Sequence, residues 1–158
     1  GGVFEPVEPP IEKPEEPTTP PSTEDLRTIK IEENIMAVVG TNHWYGIAYG
    51  NGQYVAVGAR GYVTTSTDGV NWTTPKQVGT ANWKSIAYGN GKFVAFNYDG
   101  YTSVSTNGTT WTTLKQIASK RLVGVTFGNK KFVVVGYDGY TSTSTDGTNW
   151  STRYIMVC

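Results

Sequence analysis

The 158-residue sequence predicts an all-β fold made of three copies of one repeated unit. The segment at residues 44–52 (WYGIAYGNG) recurs at 83–91 and, with substitutions, at 122–130, so successive units begin at Trp44, Trp83 and Leu122. A second segment, STDGVNW at 66–72, recurs in variant form at the same interval, and the copies align without a gap. The period is thus about 39 residues, and a fixed period of about 20 to 50 residues is typical of solenoids, propellers and repeat arrays, in which one unit cannot bury its own faces.

Each unit is expected to contain four short strands. In the second unit the turn residues Asn90-Gly91 and Asn107-Gly108 are strong hairpin signals, because Asn and Gly tolerate positive φ. Tyr98-Asp99-Gly100 marks the remaining turn. Strands at a spacing of about 8 to 12 residues indicate an all-β domain, and no segment has a helical period. We expect the four strands of this unit at 83–88, 92–97, 101–106 and 111–117.

The second strand of this unit is apolar on both of its faces, through Phe93, Val94, Ala95 and Phe96. A two-sheet sandwich buries one face of each strand and would show alternation. Blades stacked around an axis cover each small sheet on both sides. The sequence therefore predicts a β-propeller-like array of three four-stranded blades, at about residues 44–82, 83–121 and 122–158.

A further strand is predicted upstream of the first blade. Residues 34–40 occupy the position that residues 73–79 hold before Trp83, which is the position of a fourth strand. Propellers contain typically four to eight blades, so three blades would leave exposed sheet edges. We expect residues 34–40 to pair with a blade edge of the same chain or of a neighbouring one, and the chain to be an oligomer or a piece of a longer propeller.

The recurring Ser-x-Asp-Gly-x-x-Trp motif resembles the Asp-box of sialidase-type (BNR) β-propellers, and the Ile-Ala-Tyr-Gly-Asn-Gly segment resembles repeats of bacterial and bacteriophage surface proteins. The resemblance covers residues 44–158. The motif differs from the usual Asp-box in that it lacks the residue between Asp and Gly. It implies a propeller blade in which the box is structural. Turn chemistry agrees, because Asp accepts backbone hydrogen bonds and Gly adopts positive φ. The turn residues are Asp68, Gly69 and Trp72; Asn107, Gly108 and Trp111; and Asp146, Gly147 and Trp150.

Residues 1–27 are expected to form an extended arm before a repeat domain at 28–158. Seven of the eight prolines lie at residues 6–21, and residues 1–26 contain seven acids and one base, a net charge of −6. Such a segment has too little apolar surface to fold alone. Its few large apolar residues are candidates for docking onto other subunits of an assembly: Val3, Phe4, Val7 and Ile11.

Catalytic, metal and cofactor sites are not predicted. His43 and Cys158 are the only residues of their types, which argues against a His/Cys metal site. The aspartates of the repeats adjoin turn glycines, and the glycines form no phosphate-binding motif. The positive charge of residues 27–158, twelve bases against six acids, is dispersed, which argues against nucleic-acid binding. No apolar run is long enough for a membrane span.

One set of repeated residues could bind a ligand. Tyr62, Tyr101 and Tyr140 recur directly after the second turn of each unit, beside a charged residue. Aromatic rings with acidic neighbours could stack on sugar rings and accept hydrogen bonds from their hydroxyl groups. The alternative interpretation, which we favour, is that the tyrosines fill the space between blades. The charged neighbours in this candidate ligand-binding set are Arg60, Asp99 and Asp138.

Three functions remain open. The sequence favours a non-enzymatic structural or attachment module of a large surface assembly, such as a phage capsid or tail decoration or a cell-surface filament, tethered by its N-terminal arm. This function implies an extracellular or virion-surface location. A carbohydrate-binding lectin or adhesin domain, with a cell-surface glycan as partner, is the alternative. The third is a fragment of a sialidase-like glycoside hydrolase.

Overall fold

The computed structural model describes residues 1–3 and 42–158, and the latter range forms three antiparallel sheets of four strands each. We call these sheets blade 1, blade 2 and blade 3. In each blade the strands follow one another in space as they do along the chain. The strands are β1 (Trp44–Gly50), β2 (Gln53–Gly58), β3 (Tyr62–Ser66) and β4 (Lys76–Gln77); β5 (Trp83–Gly89), β6 (Lys92–Asn97), β7 (Tyr101–Ser105) and β8 (Lys115–Gln116); β9 (Leu122–Gly128), β10 (Lys131–Gly136), β11 (Tyr140–Ser144) and β12 (Ser151–Tyr154).

This arrangement confirms the predicted all-β array of three four-stranded blades. The tight turn between the first two strands of blade 2 also forms as expected, with Asn90 at φ 48° and Gly91 at φ 75°. Positive φ at both central positions matches the twist of the flanking strands, which is why Asn-Gly is favoured there. Helical structure in the described residues is limited to two single 3-10 turns, Ala59–Gly61 and Tyr137–Gly139.

The expected fourth strand at 111–117 is wrong in its length, because pairing in β8 is limited to Lys115–Gln116. Thr112 N still donates to Val104 O at 2.9 Å, but the next residues bulge out opposite Ser103. Ser103 Oγ donates to the released Thr112 carbonyl at 2.6 Å. A bulge places two residues opposite one and locally interrupts the ladder. Blade 1 has the same bulge, where Thr64 Oγ1 donates to Thr73 O at 2.6 Å.

Blade 3 lacks this bulge, and its fourth strand is continuous. Tyr101 pairs with Gln116 in blade 2, whereas the equivalent Tyr140 pairs with Tyr154 in blade 3. Tyr140 follows Tyr101 by a full repeat period, but Tyr154 follows Gln116 by one position less, so a single residue is missing after Trp150. The gapless repeat therefore holds only as far as that tryptophan.

The hydrophobic core lies between successive blades. We call the side of a blade that faces the preceding blade its N-face, and the opposite side its C-face. The N-face of blade 2, with Trp83, Ile86 and Phe93, packs against Val55 and Val57 on the C-face of blade 1. Two similar clusters join blades 2 and 3, around Phe96 with Leu122 and around Val94 with Phe132. Complete burial of each such side chain contributes about 1.5–3 kcal/mol.

Several predicted features fall outside the described residues. The chain divides into two units, Gly1–Glu33 and Asn34–Cys158. The predicted strand at 34–40 and the docking candidates Phe4, Val7 and Ile11 are not among the described residues, and they stay predictions. Within residues 1–3 and 42–158, no helix is long and apolar enough to cross a membrane.

Candidate functional site

The carboxylate of the repeated turn is fully engaged within its own turn. Asp68 Oδ1 accepts hydrogen bonds from the backbone N–H groups of Val70 and Asn71, both at 2.8 Å, and Asp68 Oδ2 accepts one from Asn71 Nδ2 at 2.8 Å. Ser66 Oγ donates to Asp68 Oδ1 at 3.0 Å. The backbone bonds from Asn71 and Val70 are the main reason that the pKa of Asp68 lies well below its usual range.

The other two blades repeat this geometry. In blade 3 the backbone N–H groups of Asn149 and Thr148 donate to Asp146 and hold its pKa well below the usual range. In blade 2 the amide oxygen of Asn107 accepts two backbone bonds, at 2.8 and 2.9 Å. An uncharged amide thus makes the same backbone contacts as the two carboxylates, so the turn requires an acceptor oxygen and not a negative charge.

The tryptophans after these turns differ between blades. The indole N–H groups of Trp111 and Trp150 donate to the turn carbonyls of Gly108 and Gly147, each at 3.1 Å, and both rings pack against the inter-blade core. Trp72 lines an open hollow on blade 1. Trp72 is therefore the member of this set that contacts an uncovered surface.

The three repeated tyrosines differ in their exposure. Tyr140 is 3 % exposed and donates its hydroxyl to Ile117 O at 2.9 Å, so its ring has no face to offer a sugar. Tyr62 and Tyr101 are half-buried. Tyr140 belongs to the core cluster between blades 2 and 3, whereas Tyr101, at the equivalent position of blade 2, is not part of the cluster between blades 1 and 2.

The charged residues beside these tyrosines also have different surroundings. Arg60 lies 5.4 Å from the centre of the Tyr62 ring and donates to Asn42 Oδ1 at 3.2 Å. Asp138 forms a 2.8 Å ion pair with Lys120. Asp99 is exposed. Because their partners differ from blade to blade, the six residues do not present one repeated binding site.

A row of cations and aromatic rings, which we call the cation–aromatic strip, crosses all three blades at one end. Lys84 Nζ lies 4.6 Å from the centre of the Tyr45 ring and 4.9 Å from that of Tyr98. Arg121 lies 4.4 Å from the Tyr98 ring centre and also bonds its hydroxyl. The Tyr98 and Tyr137 hydroxyls lie 3.4 Å apart. The hydrogen bond with Tyr137, together with Arg121 and Lys84, lowers the pKa of Tyr98.

Sequence reasoning missed the cation–aromatic strip because, of its members, only Tyr98 and Tyr137 are the same residue at equivalent positions, and blade 1 has Ala59 there. The position of Tyr45 holds Lys84 in blade 2 and Val123 in blade 3, so a search for repeated residues passes over it. The sequence signal that could have indicated the strip was the change of residue type at the repeat position of Tyr45, Lys84 and Val123.

The N-face of blade 1 is an apolar surface that no other blade covers in the described part of the chain. It contains a hollow of about 410 Å³ whose lining includes Trp44, Ile47, Ala56 and Trp72. Ile47 is 59 % exposed, whereas its equivalent in blade 2, Ile86, is 5 % exposed because blade 1 covers it. A surface with the residues of a blade–blade junction is therefore open on blade 1.

The outer side of blade 3 is open as well. Val135 on its C-face is 39 % exposed, whereas its equivalents Val57 and Phe96 are fully buried. The predicted docking residue Val3 is exposed.

Among residues 1–3 and 42–158, no cluster of three or more His, Cys, Asp or Glu side chains is placed to bind a metal ion.

Comparison with known proteins shows the fold. No family model matches the sequence, and no curated protein matches it. Solved structures that it resembles include YCF48 from Cyanidioschyzon merolae, with 19 % identity and a TM-score of 0.57 over 70 % of this chain and 37 % of that one. A YCF48 bound to D1 peptide is 14 % identical, with a TM-score of 0.59 over 71 % of this chain and 39 % of that one. A nidogen/laminin complex is 14 % identical, with a TM-score of 0.54 over 70 % of this chain and 48 % of that one.

These structures are of the β-propeller type. The chain spans less than half the length of each of these three. At identities this low the resemblance establishes a propeller fold and nothing more specific.

Proposed function

We propose that this chain is a non-enzymatic attachment module of a surface assembly, such as a phage capsid or tail decoration or a cell-surface filament, and that it binds protein through the outer faces of its first and last blades. The observation that supports this most directly is the open N-face of blade 1, where Ile47 is 59 % exposed beside Trp44 and Trp72. Contiguous apolar surface of this kind marks an interaction site. The proposal places the chain on an extracellular or virion surface.

The similar structures support protein binding as the general activity. One of them is YCF48 with a bound D1 peptide, and another is a nidogen/laminin complex, so propeller-type chains of this shape occur in complexes with peptides and proteins. The carboxylates of the turn motif accept hydrogen bonds from backbone N–H groups of the same turn. This supports the assignment of the motif to the structural Asp-box class.

The engaged aspartates support a non-enzymatic role. Of the four aspartates in residues 42–158, Asp68 and Asp146 are bonded within their turns and Asp138 is paired with Lys120. Glycoside hydrolysis requires two carboxyl groups that flank the bond to be cleaved. Among the carboxyl groups of residues 42–158, Asp99 alone would then remain for that chemistry.

Surface attachment is tested in the organism that encodes the chain. An epitope-tagged chain is detected by immunogold labelling of intact cells or particles, and Ile47→Glu is compared with Thr106→Glu, an exposed control on blade 2. We expect surface label for the parent chain and the control, and at least a tenfold loss for Ile47→Glu. Label that is confined to the cell interior, or that is equal for all three chains, would overturn the proposal. Hydrolysis of a fluorogenic sialoside that is lost in Asp99→Asn would overturn the non-enzymatic part.

Carbohydrate binding is the second candidate, because Tyr62 and Tyr101 are half-buried rings beside Arg60 and Asp99. A glycan array probed with the parent chain and with Tyr101→Ala tests it. We expect no binding by either chain. Binding that Tyr101→Ala abolishes would make a glycan, in place of a protein, the partner of the attachment module.

A further inference from the structure

The two junctions inside this chain share two kinds of contact, and the open outer faces carry the two halves of a third such junction. In each internal junction the C-face of one blade meets the N-face of the next. Among residues 1–3 and 42–158, nothing packs as a further blade on the C-face of blade 3 or on the N-face of blade 1. The residues of these two faces can therefore be compared, position by position, with those of the junctions that are formed.

The first shared contact is an aromatic ring that lies on a glycine. The ring of Tyr88 in blade 2 covers Gly50 of blade 1 so closely that a Cβ added to Gly50 would lie 2.1 Å from it. The ring of Phe127 covers Gly89 in the same way, also at 2.1 Å. The next glycine of this series, Gly128 on the C-face of blade 3, has nothing within 4 Å of an added Cβ. The ring that precedes the series, Tyr49 on the N-face of blade 1, is 57 % exposed.

The second contact, a hydrogen bond from a tryptophan indole, is present only between blades 1 and 2, because Leu122 replaces tryptophan in blade 3. Trp83 Nε1 donates to Gly61 O of blade 1 at 3.1 Å, although that oxygen also accepts the backbone bond of Val78. The equivalent indole of blade 1, Trp44 Nε1, is buried and has no acceptor among the described residues. Gly139 O of blade 3 is the equivalent of Gly61 O, and its one backbone donor, Ile155 N, leaves a lone pair for a second bond.

The third contact joins a cation to the repeated turn of the next blade. Lys76 Nζ donates to Thr109 O at 3.3 Å, and Lys115 Nζ donates to Thr148 O at 2.9 Å. On blade 3 the pairing of β12 with β11 gives this position to Arg153, which is exposed. The turn carbonyl that would accept a hydrogen bond from Arg153 is that of Val70 in blade 1. Val70 as a residue is 78 % exposed.

We propose that the occupant of both open faces is a second copy of this chain, docked head to tail, with the C-face of blade 3 in one copy against the N-face of blade 1 in the other. In this junction Tyr49 covers Gly128, Trp44 donates to Gly139, and Arg153 donates to the turn at Val70. A head-to-tail junction closes into a ring when the rotation permits. Two copies would provide six blades, which lies within the usual range of four to eight.

One position makes this junction weaker than the internal ones. Thr126 on the C-face of blade 3 stands where Ala48 and Ala87 stand on the other blades, and its hydroxyl must lose water when the junction forms. We therefore expect a reversible pair with a dissociation constant on the order of micromolar, and not a permanent dimer.

Sedimentation velocity of the full chain, from about 1 to 200 μM, tests the proposal around that constant. Gly128→Val fills the bare glycine without a clash inside one copy, and Ile47→Glu places a charge on the N-face at an exposed position. Each variant alone should raise the dissociation constant at least tenfold. An equimolar mixture of the two should form a 1:1 pair, because the intact C-face of Ile47→Glu meets the intact N-face of Gly128→Val. Thr106→Glu serves as the surface control, and circular dichroism checks the fold of each chain.

Each outcome decides the matter. Loss of pairing in both variants with recovery in the mixture supports head-to-tail docking. A parent chain that stays monomeric at every concentration overturns it, as does pairing by Gly128→Val alone, which would indicate an N-face to N-face dimer, or a mixture that fails to pair. The inference rests on the part of the proposed function that assigns protein binding to these faces, and it names a second copy of the chain as the protein bound there. A monomeric chain that still labels the surface would refute the inference and leave the proposed function standing.

Discussion

The missing residue in the fourth strand of blade 3 has an energetic consequence at Ser142. Thr64 in blade 1 and Ser103 in blade 2 use their hydroxyls to bond the carbonyl that the bulge releases, at 2.6 Å in both cases. Blade 3 has no bulge, so this carbonyl faces the ladder. Ser142, which is completely buried at the equivalent position, has a hydroxyl without a partner in the described part of the chain. Ser103 and Ser142 therefore form a matched pair, since they are the same residue type, are both buried and lie at equivalent positions of β7 and β11.

We predict opposite effects of removing the two hydroxyls. A buried polar group without a hydrogen bond costs about 1–3 kcal/mol, so Ser142→Ala should raise the free energy of unfolding by about 1 kcal/mol. Ser103→Ala removes a formed bond and leaves the Thr112 carbonyl with one partner fewer, so it should lower that free energy by about 1 kcal/mol. The expected difference between the variants is thus about 2 kcal/mol, since the side-chain volume lost is the same.

Urea unfolding followed by tryptophan fluorescence measures both free energies. It is carried out at a concentration of about 1 μM, so that association does not add to the apparent stability. Equal m-values for the two variants would show that both unfold the same surface. If Ser142→Ala destabilises the chain as much as Ser103→Ala does, the reasoning from the bulge is refuted.

Two further predictions concern the turns and the blade junctions. Because the turn lowers the pKa of Asp68 and Asp146 in the folded state, their contribution to stability is present above their unfolded pKa of about 3.9 and is lost as the pH falls. The double variant Asp68→Asn/Asp146→Asn should stay folded at neutral pH and should lose less stability than the parent chain between about pH 4 and 2. Urea midpoints at each pH measure this, and a steeper loss in the variant than in the parent would contradict it. Gly89→Ala puts a Cβ 2.1 Å from the Phe127 ring and should lower the free energy of unfolding by about 1–3 kcal/mol. Gly128→Ala, where nothing lies within 4 Å of the added Cβ, should lower it far less. Equal losses in urea unfolding would refute the ring-on-glycine contact.

The blades and their hairpin turns could be predicted from the sequence because their signals are local and repeated. Asn90-Gly91 fixes a turn by its own backbone preference, and a strand that is apolar on both faces, such as residues 92–97, requires cover on both sides. Neither inference needs knowledge of a distant residue. The predicted bounds of this strand accordingly agree with the structure.

The fourth strand and the surface sites could not be predicted because they depend on contacts that differ between blades. The bulge opposite Ser103 depends on which hydroxyl faces a released carbonyl across the sheet, and the sequence 111–117 gives no sign of it. Tyr140 is buried while Tyr62 is half-buried, although both have the same place in the repeat. Repetition therefore identifies equivalent positions, but the neighbouring blade decides what surrounds them.

The same comparison shows which contact matters most for the open faces. Leu122 replaces tryptophan in blade 3, so the junction between blades 2 and 3 forms without the indole hydrogen bond that Trp83 makes. The aromatic ring on a glycine, by contrast, is present in both internal junctions. A junction of this fold can thus dispense with the indole bond, and among the described residues both internal examples keep the ring-on-glycine contact. For this reason a substitution at Gly128 is a more decisive test of pairing between copies than a substitution at Trp44.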